Sequence, residues 1–317
     1  MRVTTLAGAT ALVLAAAAGA AQAGVLRYCQ ATPDLNAAQR DTLLRVAALV
    51  RQELQRAGAS AALVSRSGLD LRRFGERYSH AGISLAASPA VPWSVRQLYY
   101  DCDEGRARLF DQGIAGFVLG QHDARVGFVS LVLLPESAAA PLAQAALDDG
   151  RALALLAGRY SANAYAYSTR YQNCNQWVAE LMATAWGALD RPAASGEAAA
   201  GEHAPGGPTA ARARAQLWLR EADYRPRPMA LRPGALILAA PLMPWVHLDD
   251  HPAPALRQQV FEVSMPASLE GLIRQREPQA TRVELCHTPQ RIVLRRGWAP
   301  LSDDCRPEDG DEVYALE

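Results

Sequence analysis

Residues 170–186 read RYQNCNQWVAELMATAW, and where this stretch divides decides the fold. Its first part is polar and irregular. From Cys174 onward the pattern turns helical, because Trp177, Val178, Leu181, Met182 and Ala185 recur at three- and four-residue spacing. The spacing predicts a helix over 174–186 that opens at the cysteine. The first N–H groups of a helix lack internal partners, and the dipole is positive there. A thiol at that point has its thiolate stabilised, and the same N–H groups can hold a developing oxyanion. Asn173, Asn175 and Gln176 make the surroundings polar, which suits a cleft. Taken alone, Cys174 fits a nucleophile, half of a disulfide or a small buried residue.

A thiolate nucleophile needs a base. In Arg77-Tyr78-Ser79-His80-Ala81-Gly82-Ile83-Ser84-Leu85, apolar Ala81, Ile83 and Leu85 alternate with Gly82 and Ser84. This is a strand pattern with His80 at its start, on the face opposite Ile83. Taken alone, His80 also fits a turn cap or the edge of a core. Short strands are likewise expected at 61–65, 94–100 and 126–134, forming a mostly antiparallel sheet. Helices are expected at 35–57, 137–157, 210–221 and 267–275. Strands at 261–264, 281–286 and 291–295 follow, the last two joined as a hairpin through Thr288-Pro289-Gln290. The other histidines have weaker settings: His122 in a turn, His203 in a low-complexity stretch, His287 at a strand end. His247-Leu248-Asp249-Asp250-His251 places two imidazoles four apart, but Pro244 and Pro252 disfavour the helix that would align them on a metal.

The N-terminus carries Arg2, a small apolar run over 6–20 and Ala21-Gln22-Ala23, the three parts of a secretory signal peptide in order. Residues 1–23 are therefore expected to be removed, leaving a periplasmic or secreted chain from Gly24. No later stretch approaches about 20 uninterrupted apolar residues, so no transmembrane span is expected. Lys+Arg and Asp+Glu are 32 each, and this balance argues against a nucleic-acid partner. Every one of those basic residues is Arg, which excludes a Schiff-base lysine, a P-loop lysine and a Ser–Lys dyad. Five cysteines in an oxidising compartment leave one over. Cys102 sits among Asp101, Asp103 and Glu104, whose charges oppose its thiolate and favour a structural role. Residues 188–208 are Gly/Pro-rich and aperiodic, as in a flexible linker. Residues 209–317 follow as a second lobe or an extension packed on the first.

The pair of motifs, Ser-His-Ala-Gly-Ile opening a strand and Asn-Cys opening a helix much later, resembles the circularly permuted NlpC-type papain-like cysteine hydrolases. That branch includes the lecithin:retinol acyltransferase-like proteins. The order here is His then Cys, as in the permuted branch. More narrowly, RYSHAGISL, PWSVRQLYYDCDEG, RYQNCNQWV and PWVHLDDHP resemble the bacterial domain-of-unknown-function family 2145. The resemblance implies an α+β fold: a permuted papain-like core over 24–187, its antiparallel sheet packed on the helix that starts at the cysteine, and a C-terminal α+β extension over 209–317. It implies Cys174 as nucleophile, His80 as general base and a polar residue on the next strand, Gln97, to orient the imidazole, with Tyr99 as the fallback. Tyr78, Asn173 and Trp177 are expected to line the substrate site. With Cys174 reserved, Cys286–Cys305 and Cys29–Cys102 are the expected disulfides. No cofactor or metal is implied, and the expected partner is an amide or ester substrate of the cell envelope, a wall peptide or a lipid. Two alternatives stay open: a non-catalytic module that binds such fragments on the same fold, and a metal hydrolase built on His247, Asp249 and His251.

Overall fold

The computed structural model describes residues 34–121, 123, 125–189, 208–231 and 243–316. The expected signal peptide and nearly all of the expected linker lie outside the described residues, as do His122, His203 and Cys29. Helix α1 (Ala37–Ala57) starts at an Asn36/Gln39 capping box, in which each side chain takes the other residue's backbone N–H. It buries Leu43, Val46, Val50 and Leu54.

The chain then builds strands β1 (Ala61–Arg66), β2 (His80–Leu85), β3 (Ser94–Asp101) and β4 (Arg106–Gln112). Helix α2 (Ile114–Leu119) leads into β5 (Gly127–Leu133). Helices α3 (Glu136–Leu147) and α4 (Asp149–Ala154) follow, then α5 (Cys174–Trp186) and α6 (Pro208–Glu221). Strands β6 (Arg227–Ala230) and β7 (Val260–Val263) form a separate antiparallel pair, with α7 (Ala253–Gln258) between them. Helix α8 (Pro266–Arg276) precedes β8 (Thr281–His287), β9 (Arg291–Arg296) and β10 (Glu312–Ala315).

Eight strands form one antiparallel sheet in the order β10-β9-β8-β5-β1-β2-β3-β4. Both faces of its centre are covered, so β1 and β2 are buried along their whole length. Side chains alternate between the two cores. Leu63, Ala81, Ile83, Leu85 and Leu98 pack against Trp177, Val178 and Leu181 of α5 and against α3. Ala62, Val64, Val95 and Leu131 face α1 and α2. The architecture is thus α+β, with the cysteine helix laid on a large antiparallel sheet.

Two expectations change. The helix over 137–157 is broken at Asp148, whose backbone leaves helical geometry and whose side chain caps the next turn through the Arg151 N–H. The C-terminal segment does not pack on a finished sheet. Strand β8 pairs with β5 from Gly127↔His287 to Leu133↔Thr281, next to the central β1. This covers an edge that β5 would otherwise expose. The hairpin expected around residue 289 is the β8–β9 pair, and the Cys286–Cys305 disulfide ties it to the following loop.

Candidate active site

Asn173 caps α5, its side-chain oxygen accepting the Gln176 N–H at 2.7 Å. Its amide nitrogen donates to the carbonyls of Ala162 and Ser264, both at 3.3 Å. Asn175 donates to the carbonyls of Ser79 and Ser264, each at 3.2 Å. Gln176 donates to Tyr165, Ala166 and Ser168 carbonyls. The polar residues around the cysteine therefore bind backbone rather than line a cleft. They fix the start of α5 against the 161–168 loop and against Ser79, the residue before His80.

One turn further on, Glu180 and Arg212 form a buried ion pair at 2.8 Å, and Gln172 and Gln216 also donate to the carboxylate. Arg212 donates on to the carbonyls of Ser168, Thr169 and Tyr171, the segment that runs into Cys174. A long-range pair of this kind holds an irregular loop that has no ladder of its own.

On the sheet side, His80 Nε2 lies 2.7 Å from Gln97 Oε1. Gln97 in turn donates its amide to Gln112 Oε1 at 2.8 Å. That second bond sets which way the Gln97 amide points, so its carbonyl faces the imidazole and the proton sits on His80 Nε2. Nδ1 is left unengaged by Gln97. Tyr99 stacks on the imidazole, ring centroids 4.7 Å apart, so the fallback residue supports the ring from its face.

Gly82 makes the Gln97 contact possible. A Cβ there would sit 2.5 Å from Val95 Cγ1, 2.9 Å from the Arg96 carbonyl oxygen and 3.0 Å from Gln97 Cβ. Strand β3 can lie this close to β2 only because position 82 has no side chain. Gly82→Ala is expected to destabilise the protein by about 1–3 kcal/mol in urea denaturation, as overpacking does. A loss below about 0.5 kcal/mol would mean that β3 can shift without cost.

Cys174 and His80 line one cleft of about 220 Å³, together with Arg66, Leu98, Tyr99, Tyr100, Tyr160 and Trp245. The family comparison matches residues 53–273 to the family described as an uncharacterized protein conserved in bacteria (DUF2145). The chain belongs to DUF2145. No curated protein and no solved structure matches it. The DUF2145 segment spans β1 through most of α8, so it contains the whole cleft and ends before β8.

Charge in this DUF2145 cleft departs from the expectation that the helix start stabilises the thiolate. Burial pushes the Cys174 thiol up to about 11, against the pull of the Asn175, Cys174 and Ala81 N–H groups and of Arg66. Burial, then the positive charge of Arg66, drives His80 down to about 3, although its bond to Gln97 works the other way. The helix N-terminus acts in the expected direction but desolvation outweighs it. Both groups are neutral near pH 7.

Three expected lining residues sit elsewhere. Tyr78 is buried, its hydroxyl donating to Glu284 and receiving from Arg282. Trp177 is fully buried in the core, its Nε1 donating to the Ala152 carbonyl at 3.2 Å. Asn173 is the cap described above. The true lining residues Tyr100 and Trp245 fall inside motifs already singled out, so the signal for them was present. Arg66 had a weaker one, an arginine closing the apolar run Ala61-Ala62-Leu63-Val64-Ser65.

The His247–His251 loop does not converge on a metal site. His247 stacks on Tyr171 with ring centroids 4.2 Å apart, and Asp249 pairs with Arg170 at 2.6 Å. Asp250 accepts the Tyr165 N–H, and His251 Nε2 donates to the Asn163 carbonyl at 2.8 Å. The loop thus braces the segment before Cys174. His287, paired with Gln121 at 3.1 Å, is buried against the far part of the sheet. Among the described cysteines Cys174 alone is free, Cys286 is bonded to Cys305, and Cys102 is disulfide-bonded. The bond expected between Cys102 and Cys29 ends on a residue outside the described ones.

Proposed function

We propose that the protein is an extracytoplasmic cysteine hydrolase or acyltransferase with a permuted papain-like core, acting on an amide or ester of the cell envelope. One observation carries the reading. A free thiol at the first position of a helix shares a cleft with an imidazole whose Nε2 is held by Gln97, which leaves Nδ1 as the nitrogen not engaged by Gln97. His80 Nδ1 takes the proton from Cys174 Sγ as the sulfur attacks the substrate carbonyl. Gln97 accepts from Nε2 and steadies the imidazolium. N–H groups at the start of α5 hold the oxyanion. The leaving amine or alcohol takes the proton from His80, and water then releases the acid and restores the thiol. Location outside the cytoplasm is supported by the signal-like N-terminus and by the Cys286–Cys305 bond. Among the described residues no helix is long and apolar enough to cross a membrane.

Alkylation of Cys174 by iodoacetamide across pH, with peptide mapping, tests the reading. Unaided ionisation of a thiol raised to about 11 grows with pH up to that value. Transfer to His80 needs no hydroxide. It becomes favourable only for the two groups as a pair, the forming thiolate raising the imidazole and the imidazolium lowering the thiol. At pH 7–8 the wild type is therefore expected to label at least about tenfold faster than His80→Ala, and the two should converge near pH 11. Because His80 stays unprotonated down to about pH 3, no inflection is expected near 6.5. Equal rates at neutral pH would remove His80 as base. The second reading, a binding module on the same fold, draws on the neutral resting state of both groups and predicts that equality.

A further inference from the structure

Arg66 closes β1 directly opposite His80 in the β1–β2 register, and it lines the same cleft as Cys174. It is only 5 % exposed. A buried guanidinium normally meets a carboxylate, because an unpaired buried charge is costly. Among the described residues its guanidinium donates only to Ser67 and Tyr99, and no carboxylate accepts from it. Of its five N–H donors, Nη1 gives one to the Ser67 carbonyl at 3.2 Å and Nη2 gives one to the Tyr99 hydroxyl at 2.8 Å. Nε is buried without any partner. Tyr99, accepting from Arg66, still has its own proton to donate.

The surroundings keep this guanidinium in place. It lies over the Phe117 ring, 5.4 Å from the centroid. A Cβ at Gly120 would come within 2.8 Å of Nη2 and 3.0 Å of Cζ, and one at Gly68 within 3.0 Å of Nη1. Two positions without side chains thus leave room for a charged group that nothing in the described protein neutralises.

We propose that Arg66 and Tyr99 form a subsite for a carboxylate, so that the cleft selects acyl substrates carrying a free carboxylate close to the scissile carbonyl. The inference rests on the cysteine-hydrolase reading for the identity of the reacting atom. It narrows the substrate class toward acidic peptides and away from neutral lipid esters. Planar two-point recognition by arginine favours a carboxylate.

Iodoacetate and iodoacetamide test it, because they differ in carrying a carboxylate or a neutral amide. With either reagent the sulfur forms a bond to the methylene carbon and iodide leaves with the C–I electron pair. The readout is the ratio of the two rate constants at Cys174, which cancels changes in thiol nucleophilicity. Relative to the same chain unfolded in urea, wild type is expected to favour iodoacetate by about tenfold or more, the size of one charge-assisted hydrogen bond. Arg66→Gln should return the ratio to the unfolded value. A wild-type ratio equal to that of the unfolded chain overturns the proposal.

A second measurement needs no variant. N-acetylglycine should protect wild-type Cys174 from iodoacetamide at concentrations where N-acetylglycinamide does not. Equal protection by the two overturns the proposal. Stronger protection by inorganic phosphate, at matched ionic strength, overturns the assignment to a carboxylate. Reaction at Cys174 without charge preference defeats the subsite and leaves the hydrolase reading standing. Failure of both reagents to reach Cys174 defeats both.

Discussion

Cys174→Ala is expected to abolish turnover, and His80→Ala to lower kcat/KM by about 10²–10⁴-fold, with the fold of each variant intact. The two losses differ because the residues do different work. Without the sulfur no acyl-enzyme can form. Without the imidazole the thiol remains, but its proton has nowhere to go short of hydroxide, since burial holds it at about 11. Alanine at 174 suits a helix start packed against Ala81 and Trp177. His80→Ala leaves the Gln97 carbonyl without its donor, at a cost of about 1–3 kcal/mol for a buried acceptor. Hydrolysis of cell-wall stem peptides and lipid esters is the assay, with far-UV circular dichroism as the control for folding. Turnover of any of these by Cys174→Ala at the wild-type rate would end the nucleophile assignment.

Arg212→Ala is expected to cost about 3–5 kcal/mol of stability, the range for breaking a buried ion pair by removing one partner. Glu180 and Arg212 are both essentially without solvent contact. Truncating Arg212 strands a carboxylate that burial already pushes upward. It also frees the carbonyls of Ser168, Thr169 and Tyr171. Replacing both partners with apolar residues of similar size should recover much of the loss, because no buried charge then remains. Urea denaturation of the two variants decides this. A single-variant cost under about 1 kcal/mol would show that water reaches Glu180 in the folded state.

Much of the core was legible in the chain. Helix α5 begins at the expected residue and buries Trp177, Val178, Leu181 and Met182 as expected, because a period of three to four leaves few other choices, although its polar residues from Asn175 to Glu180 are buried too. Strands β1, β2, β3 and β5 were visible as short apolar runs bounded by turn residues. Strand β4, Arg106–Gln112, was missed because it is an edge strand with an alternating, largely charged outer surface. Helix α2 has six residues, too short for a periodic signal. At the site, His80 was readable from its place at the start of an alternating strand, while Gln97 came only from what the family resemblance implies, with Tyr99 sharing its face. Gln112, which orients Gln97, lies on that missed edge strand and carried no signal.

By itself the sequence determined the local structure and the residue types available for chemistry. Hydrophobic period is a property of short windows, and the His-then-Cys order is read directly along the chain. It also determined that no lysine chemistry is possible. Tertiary structure alone decided where β8 inserts, since pairing with β5 joins residues about 150 apart in the chain. It alone decided that Asn173, Asn175 and Gln176 bind backbone carbonyls instead of facing a cleft. It also decided the protonation states: a helix N-terminus favours a thiolate, but the sulfur's burial opposes it more strongly. Burial and long-range pairing are sums over distant neighbours, and no local window of residues contains them.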